Sequence, residues 1–287
     1  MTRGVGVSAV GATVAGVAAR LGYPLWAARK SQENGFAEMV QREQVDILLN
    51  VHGLYVLPAD VVAAPRIGSF NLHPGPLPRY AGLNAPSWAI YHGEKTHGVT
   101  LHWMDSGIDT GPIAFAAGMP VDEDETGLTL NAKCVRAGLP LLHDLLAAAA
   151  KGEVPRIPQP VGPRRYYGRE VPHEGRLIWT ESARRIINFV RACDFAPFMS
   201  PWGLPRAYLA GREIVVLKAN PSGEKSDAAP GTIGQRIGSD VLVAARDEWV
   251  RVRRIQVGSS TFPAADALRE GERFAVPTRI EASTAVR

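Results

Sequence analysis

This sequence of 287 residues has few cysteines, only a small excess of positive charge and no histidines at metal-ligand spacing. Its two cysteines, Cys134 and Cys193, lie far apart and belong to no CxxC pattern, which argues against a disulfide framework and predicts two reduced, buried thiols. The seven histidines show no ligand spacing, so we expect no metal site. A formal net charge of +4 is too small to predict nucleic-acid binding by itself, although it suits an anionic cofactor or substrate.

The sequence also lacks a strongly apolar run of the length that spans a bilayer. Residues 1–22 (MTRGVGVSAVGATVAGVAARLG) are small and apolar, but they continue without a break into an amphipathic helix predicted from about Gly11 to Leu21. A signal peptide would instead have an apolar core followed by a small-residue cleavage site. We therefore expect a cytoplasmic protein.

Helical and strand-like patterns alternate over the first half of the chain. Val45–Val51 and Ile67–His73 are typical of buried strands. A long helix is predicted between Thr126, a candidate N-cap, and Gly152, a candidate helix stop. The alternation predicts an α/β fold with a doubly wound, mostly parallel sheet over residues 1–153.

The composition changes after residue 153. Residues 154–172, where Pro155, Pro158, Pro160 and Pro163 interrupt regular structure, are interpreted as a linker. Residues 173–287 then carry one helical segment and several short strand-like runs separated by glycine and proline turns. This second pattern predicts a small β-barrel.

Three polar residues stand out between Ser69 and Ile113. Asn71 and His73 are two apart at the end of an apolar run, so on a strand they point to the same face. Asp109 follows in a glycine-rich loop, after a predicted helix and a predicted strand. Because open parallel sheets bind ligands outside the carboxyl ends of their strands, we expect the amide, the imidazole and the carboxylate to meet there.

The same stretch carries a family resemblance. It contains Asn-x-His-Pro from Asn71, Leu-Pro-x-Tyr from Leu77, Gly-Val-Thr from Gly98 and Asp-x-Gly-x-Asp-x-Gly-Pro from Asp105. This combination resembles the signature of the 10-formyltetrahydrofolate-dependent formyltransferases, a family that includes methionyl-tRNA formyltransferase and the nucleotide-sugar N-formyltransferases. The resemblance covers about residues 11–275. It implies a Rossmann-like catalytic domain followed by an OB-like β-barrel.

The resemblance also implies a reaction and its catalytic residues. A formyl group moves from 10-formyltetrahydrofolate to a primary amine, without a metal, through a tetrahedral oxyanion. Asn71 would donate a hydrogen bond to the oxyanion, His73 would relay the proton of the amine, and Asp109 would hold the imidazole. The residues implied in folate binding are Gly53, Leu54, Tyr55, Val56, Leu57, Ile108, Thr110, Gly111 and Pro112.

Other polar residues have weaker or structural interpretations. Tyr80 and Asn84 are candidates for contact with the acceptor, although Asn84 suits a helix N-cap about as well. We expect structural or rim positions for three histidines, and solvated linker positions for three arginines. The histidines are His52, His97 and His102. The arginines are Arg164, Arg165 and Arg169.

The sequence departs from the family pattern in two places. No match is detectable for the family's first strand–helix–strand unit, so we expect an N-terminally shortened catalytic domain that exposes apolar surface, unless Gly4 to Gly11 supplies a substitute strand. Ala81 stands where many family members have an arginine, and this favours an acceptor other than methionyl-tRNA.

These features support one leading function and leave alternatives open. The leading hypothesis is formylation of a primary amine on a small molecule, either an amino-sugar nucleotide or a natural-product precursor. The alternatives are a methionyl-tRNA formyltransferase, a folate hydrolase in which water replaces the amine, and a non-catalytic folate-binding relative.

Overall fold

The structure is a computed structural model that describes residues 13–53, 55–160 and 162–276. The chain divides into two compact units. The first unit comprises Met1–Gly82, Gly98–Gly118 and Cys134–Tyr166, and the second comprises Leu83–His97, Met119–Lys133 and Tyr167–Arg287.

Helices and strands are interspersed from the start of the described chain to residue 167. In chain order they are α1 (Val14–Leu21), α2 (Phe36–Arg42), β1 (Ile47–Val51), α3 (Ala59–Ala63), β2 (Gly68–His73), β3 (Ala81–Gly82), α4 (Ala85–His92), β4 (Thr96–Trp103), β5 (Ile113–Pro120), α5 (Gly127–Lys151) and β6 (Tyr166–Tyr167). A short 3₁₀ segment, Ala28–Gln32, precedes α2.

The remainder of the chain is mainly β structure. It consists of a 3₁₀ segment at Pro172–Gly175, α6 (Ala183–Ala192), β7 (Arg206–Leu209), β8 (Arg212–Lys225), β9 (Ile233–Ile237), β10 (Asp240–Ala244), β11 (Glu248–Val257), β12 (Ser260–Pro263) and α7 (Ala264–Ala267).

One sheet has four strands in the order β1-β2-β4-β5. β1 and β2 are parallel, whereas β2 and β4 are antiparallel. The buried side chains of this sheet include Phe70 and Trp103, whose ring centroids are 4.3 Å apart. Gly138 of α5 lies against Leu72, where an added Cβ would come within 2.7 Å of a leucine methyl group.

The outer edge of this sheet is apolar and exposed. No strand within the described residues pairs with the outer side of β1. Leu49 and Val51 of that strand are 42% and 45% exposed, and Tyr23, Leu25 and Trp26 are exposed as well. The alternative strand at Gly4 to Gly11 lies outside the described residues.

A second sheet has six strands, and all of its observed pairings are antiparallel. Its order is β7-β8-β11-β10-β9, and β12 also pairs with β11. Aliphatic side chains such as Ile214, Val243 and Val250 are fully buried in it. The α/β fold with a separate antiparallel, barrel-like sheet is therefore confirmed.

Several local predictions also hold. The hydroxyl of Thr126 accepts a hydrogen bond from the amide of Thr129 at the start of α5 (3.2 Å), and Gly152 takes a left-handed φ of 73° just after its end. Cys134 and Cys193 are both buried and are not bonded to each other. Among the described residues, no helix is long and apolar enough to cross a membrane.

Candidate active site

The three polar residues singled out in the sequence meet in the first unit. Asn71 and His73 lie on β2, and Asp109 lies in the loop between β4 and β5. The expectation that they meet at the carboxyl ends of parallel strands is wrong for β4, which runs antiparallel to β2 with Phe70 opposite Trp103. The loop after β4 therefore starts beside the first half of β2, and it brings Asp109 to both Asn71 and His73.

The carboxylate of Asp109 is the centre of this cluster. Its Oδ1 accepts a hydrogen bond from Nδ2 of Asn71 at 3.0 Å, and its Oδ2 accepts one from the amide of Gly82 at 2.8 Å. Oδ2 also lies 3.4 Å from Nδ1 of His73. Asp109 and His73 are only 7% and 3% exposed, so these contacts form largely away from water.

His73 has a partner at each ring nitrogen. Its Nε2 donates to the carbonyl oxygen of Tyr80 at 2.7 Å, because a carbonyl can only accept. In the neutral ring, Nδ1 then carries the lone pair and faces Oδ2 of Asp109. A proton taken up by His73 would bind at Nδ1, beside that carboxylate.

His102, which we expected to be structural, belongs to the cluster. Its Nδ1 donates to the carbonyl of Trp103 at 2.7 Å, and its Nε2 lies 3.1 Å from Nδ2 of Asn71 and 3.2 Å from Oδ1 of Asp109. The sequence signal was a histidine that interrupts the apolar run Val99–Trp103. Its meaning depends on the pairing of β2 with β4, which places His102 directly opposite Asn71.

Burial and charge oppose each other at the two central groups. Burial lowers the pKa of His73, and the neighbouring Asp109 charge and Tyr80 carbonyl only partly counteract it. Burial would raise the pKa of Asp109, but its contact with His102, the charge of His73 and the amide of Gly82 lower that pKa to about 2. The site therefore holds an ionised carboxylate beside an imidazole that is mainly neutral at neutral pH.

Two residues of the predicted linker hold the Asp109 loop. Nε2 of Gln159 donates to the carbonyls of Asp109 (3.0 Å) and Gly111 (2.7 Å). The guanidinium of Arg164, which we expected to be solvated, donates to the carbonyls of Asp109 (3.0 Å) and Ile108 (2.8 Å). Asp109 itself has a left-handed φ of 53°, which is costly for a residue with a side chain, so these contacts help to stabilise it.

The residues implied in folate binding follow β1 and form the Asp109 loop. Tyr55, Val56 and Ile108 expose 43%, 69% and 44% of their surface. The amide side chain of Gln32 donates to the carbonyl of Val56 at 2.9 Å. Gly111 approaches the carbonyl of Trp103 so closely that an added Cβ would lie 2.0 Å from it. The remaining residues of this group are Gly53, Leu57, Thr110 and Pro112; Leu54 lies outside the described residues.

The two candidate acceptor contacts have different positions. Tyr80 is buried, has a left-handed φ of 58° and supplies the carbonyl that accepts from His73. Asn84 occupies the N-cap position of α4 with a left-handed φ of 57°, but its side chain accepts no capping hydrogen bond from the described residues of that helix.

The site shows hydrogen-bonding and acid–base groups, and no metal-ligand geometry. No group of three or more His, Cys, Asp or Glu side chains in the described part of the chain is placed to hold a metal ion. The arrangement offers an amide donor, a neutral imidazole and a fixed carboxylate. These are the parts required to move a proton and to stabilise a developing negative oxygen.

Comparisons with known proteins identify the family. The sequence profile described as "Formyl transferase" matches residues 8–145, and the profile described as "Formyl transferase, C-terminal domain" matches residues 171–271. A methionyl-tRNA formyltransferase from Burkholderia multivorans is 33% identical over 247 residues, which cover 84% of this chain and 74% of that protein.

Solved structures show the same fold at low sequence identity. An N-formyltransferase from Helicobacter canadensis, in complex with folinic acid and dTDP-3-aminofucose, matches with a TM-score of 0.66 and 17% identity over 88% of this chain and 86% of its own. HypX from Aquifex aeolicus, in complex with tetrahydrofolic acid, matches with a TM-score of 0.62 and 20% identity over 80% of this chain. The match spans only 40% of the HypX chain.

Proposed function

Because the chain belongs to the formyl transferase family, we propose that it transfers a formyl group from 10-formyltetrahydrofolate to a primary amine on a small molecule. One observation carries this proposal: the buried carboxylate of Asp109 accepts a hydrogen bond from Asn71 and lies 3.4 Å from Nδ1 of the buried His73. A residue set that served only to stabilise the fold would gain little from an ionised carboxylate and an imidazole at buried positions, because burying such groups is costly.

The bound folate supplies the activated formyl group, and the protein residues supply hydrogen bonds and proton transfer. One N–H of Asn71 turns to the formyl oxygen, where negative charge develops. His73 takes up the proton of the attacking amine at Nδ1, where Oδ2 of Asp109 stabilises the imidazolium. His73 then returns the proton to the leaving nitrogen.

The surroundings of the cluster fit a flat, partly aromatic co-substrate. Exposed apolar side chains lie at Ile108, directly before Asp109, and at Tyr55 and Val56, shortly after β1. Such side chains are well suited to pack against a pterin ring. The structures of the Helicobacter canadensis N-formyltransferase and of Aquifex aeolicus HypX contain folinic acid and tetrahydrofolic acid, respectively, and this supports a folate co-substrate here.

Two acceptor classes remain in competition. A small-molecule amine is supported by the dTDP-amino-sugar complex of the Helicobacter canadensis protein and by Ala81, where many family members have an arginine. A methionyl-tRNA acceptor is supported by the relative that is 33% identical. We place the small molecule first because the net charge of +4 is modest for a protein that binds tRNA.

The remaining assignments follow from the same proposal. We propose a catalytic domain over residues 1–153, a linker over residues 154–172 and an OB-like domain over residues 173–287. We also propose that the enzyme works in the cytoplasm, where folate-dependent one-carbon transfer would supply its co-substrate. Tyr80 and Asn84 are proposed to line the acceptor side.

The proposal is tested by following the absorbance change as 10-formyltetrahydrofolate loses its formyl group. The acceptor panel contains a nucleotide-linked amino sugar, an aminoacyl amine, methionyl-tRNA and water alone. His73→Ala serves as the catalytic blank. His143→Ala, at an exposed position on α5, is the matched histidine control.

We expect turnover that depends on a small amine, is lost in His73→Ala and is retained in His143→Ala. Turnover with methionyl-tRNA alone, with a strong dependence on salt, would replace the first candidate by the second. Turnover in water that no amine accelerates would indicate a hydrolase. Folate binding without turnover on any acceptor would overturn the transferase proposal in favour of a binding protein.

A further inference from the structure

A row of polar side chains crosses three strands of the first sheet. Asn50 of β1 lies in register with Asn71 of β2, and Asn71 lies in register with His102 of β4. Residues in register on adjacent strands are about 5 Å apart and project from the same face. The row ends at Asp109, which contacts both Asn71 and His102.

Asn50 is out of place by the usual preferences of strands. The other residues of β1 are Ile47, Leu48, Leu49 and Val51, all of them aliphatic. Asparagine is depleted in strands because its side chain packs poorly on a pleated surface and favours turns. Its presence in the row therefore calls for a reason other than the stability of β1.

The hydrogen bonds supply that reason. Nδ2 of Asn50 donates to Oδ1 of Asn71 at 2.9 Å. Asn71 must present its NH₂ group to Asp109, since a carboxylate can only accept, so its Oδ1 must point the other way. Among the described residues, Asn50 supplies the donor that meets Oδ1 in this orientation. If the carboxamide of Asn71 were rotated by half a turn, its NH₂ group would face the NH₂ group of Asn50. Its Oδ1 would then face the carboxylate of Asp109, and neither pair could form a hydrogen bond.

The main chain leaves room for this contact at Gly53. A Cβ added to Gly53 would lie 1.9 Å from Oδ1 of Asn50, so any larger residue would displace the Asn50 side chain. Gly53 was implied in folate binding by the family resemblance. In the structure, the lack of a side chain at Gly53 also leaves space for the carboxamide of Asn50.

We propose that Asn50 is a positioning residue, which holds the Asn71 carboxamide with its NH₂ group turned towards Asp109 and His102. This is the orientation from which an N–H can be turned to the formyl oxygen, so the inference rests on the proposed function. The hydrogen bond of Asn50 goes to Asn71. Asn50 acts only through Asn71.

The first test compares kcat and KM for Asn50→Ala, Asn50→Asp and Asn50→Ser. Asn50→Ala loses the donor, and we expect kcat to fall about 10- to 100-fold, in line with the cost of a catalytic group misplaced by about 1 Å. In Asn50→Asp the new carboxylate accepts from a rotated Asn71, so kcat should fall further, whereas Asn50→Ser keeps a donor and recovers part of the loss. KM for the folate should change less than about twofold, because Asn50→Ala removes no interaction that binds the folate equally in the ground state and the transition state.

The matched control is Leu49→Ala, on the same edge strand but at an exposed position next to Asn50. It should leave kcat unchanged. A double-mutant cycle with Asn71→Ala separates positioning from structure: once Asn71 is absent, Asn50→Ala should change kcat less than about twofold. Equal losses in both backgrounds would overturn the inference.

A second measurement does not depend on turnover. The side-chain NH₂ resonances of Asn71, assigned by their disappearance in Asn71→Ala, should shift strongly in Asn50→Ala and hardly at all in Leu49→Ala. Unchanged resonances would mean that Asn50 does not fix the amide. If the resonances shift but the wild type transfers no formyl group to any acceptor of the panel, the positioning is real and the proposed function is what fails.

Discussion

The two sheets of this molecule differ in the polarity of the side chains on their strands. The four-stranded sheet carries Asn50, Asn71 and His102 in one row across three strands. In the six-stranded sheet, β10 is buried along its whole length, and its interior consists of valine, leucine and alanine. Its one acidic residue, Asp240, lies at the start of the strand and accepts from Nε of Arg251 at 2.6 Å.

This difference suggests that the aliphatic side chains stabilise the fold and that the polar row serves the reaction. Burying aliphatic side chains stabilises the fold by about 25 cal/mol for each Å² of apolar surface removed from water. Burying amides and imidazoles contributes much less, because each loses its hydrogen bonds to water and needs a partner in the protein. We therefore expect substitutions in the polar row to affect turnover and substitutions in β10 to affect folding.

The largest expected effect is on turnover in Asn71→Ala. It removes the amide that would meet the developing negative charge, and the loss of one such donor typically lowers kcat by about 10² to 10³. Asn220→Ala, the same substitution at an exposed position of the second sheet, should leave kcat unchanged. Similar kcat values for the two variants would contradict the claim that turnover depends on the polar row of the first sheet.

The reciprocal test is Leu242→Ala in β10. Leu242 is 2% exposed, and truncating a buried leucine to alanine typically costs about 2 to 5 kcal/mol of unfolding free energy. Denaturant unfolding should show this loss, whereas kcat per folded molecule should remain that of the wild type. A large fall in kcat with an unchanged unfolding free energy would contradict the assignment of roles.

Asp109→Asn sharpens the comparison through pH. The pKa of Asp109 is lowered to about 2, so its stabilisation is complete above about pH 4 and is lost as the pH falls towards the folded pKa. This contribution is about 2 kcal/mol by the usual conversion of a pKa shift. In Asp109→Asn it should disappear from unfolding curves measured between those pH values. Asp144→Asn, at an exposed position on α5, should retain it.

The smallest expected effect concerns the support of the Asp109 loop. Arg164→Leu removes two hydrogen bonds to the carbonyls of Ile108 and Asp109, and we expect kcat to fall about three- to tenfold. Arg164→Lys should recover only part of the loss, because an ammonium group does not reproduce the planar fork. Arg169→Leu serves as the exposed control, and an equal loss there would show that only net charge matters.

Sequence reasoning found Asn71 and Asp109 of the polar row but missed Asn50 and His102. Asn71, His73 and Asp109 were predictable because they lie in one short, recognisable stretch. His102 and Asn50 were not, since their importance depends on strand order and register, which a single sequence does not specify. The predicted carboxyl-end geometry failed for the same reason: nothing in the composition of β4 shows that it runs antiparallel to β2.

The supporting contacts were hidden for another reason. Gln159 and Arg164 act on backbone carbonyls, which every residue possesses, so no pattern of side chains in the Asp109 loop points to them. Both lie in a proline-rich stretch that is typical of a linker. By contrast, the aliphatic β-rich second half was predictable in kind, because its short runs and turns repeat a simple pattern.

The contacts at both ring nitrogens of His73 have a consequence for how affinity should be understood. With Nε2 donating to Tyr80 and Nδ1 facing Asp109, the free protein holds its imidazole in a closed arrangement. A substrate that needs either nitrogen must select the minor population in which one of these contacts is open. Its apparent dissociation constant is raised by the reciprocal of that population, so a variant that holds the imidazole further from Asp109 in the free protein would bind the amine more tightly while stabilising its imidazolium less well.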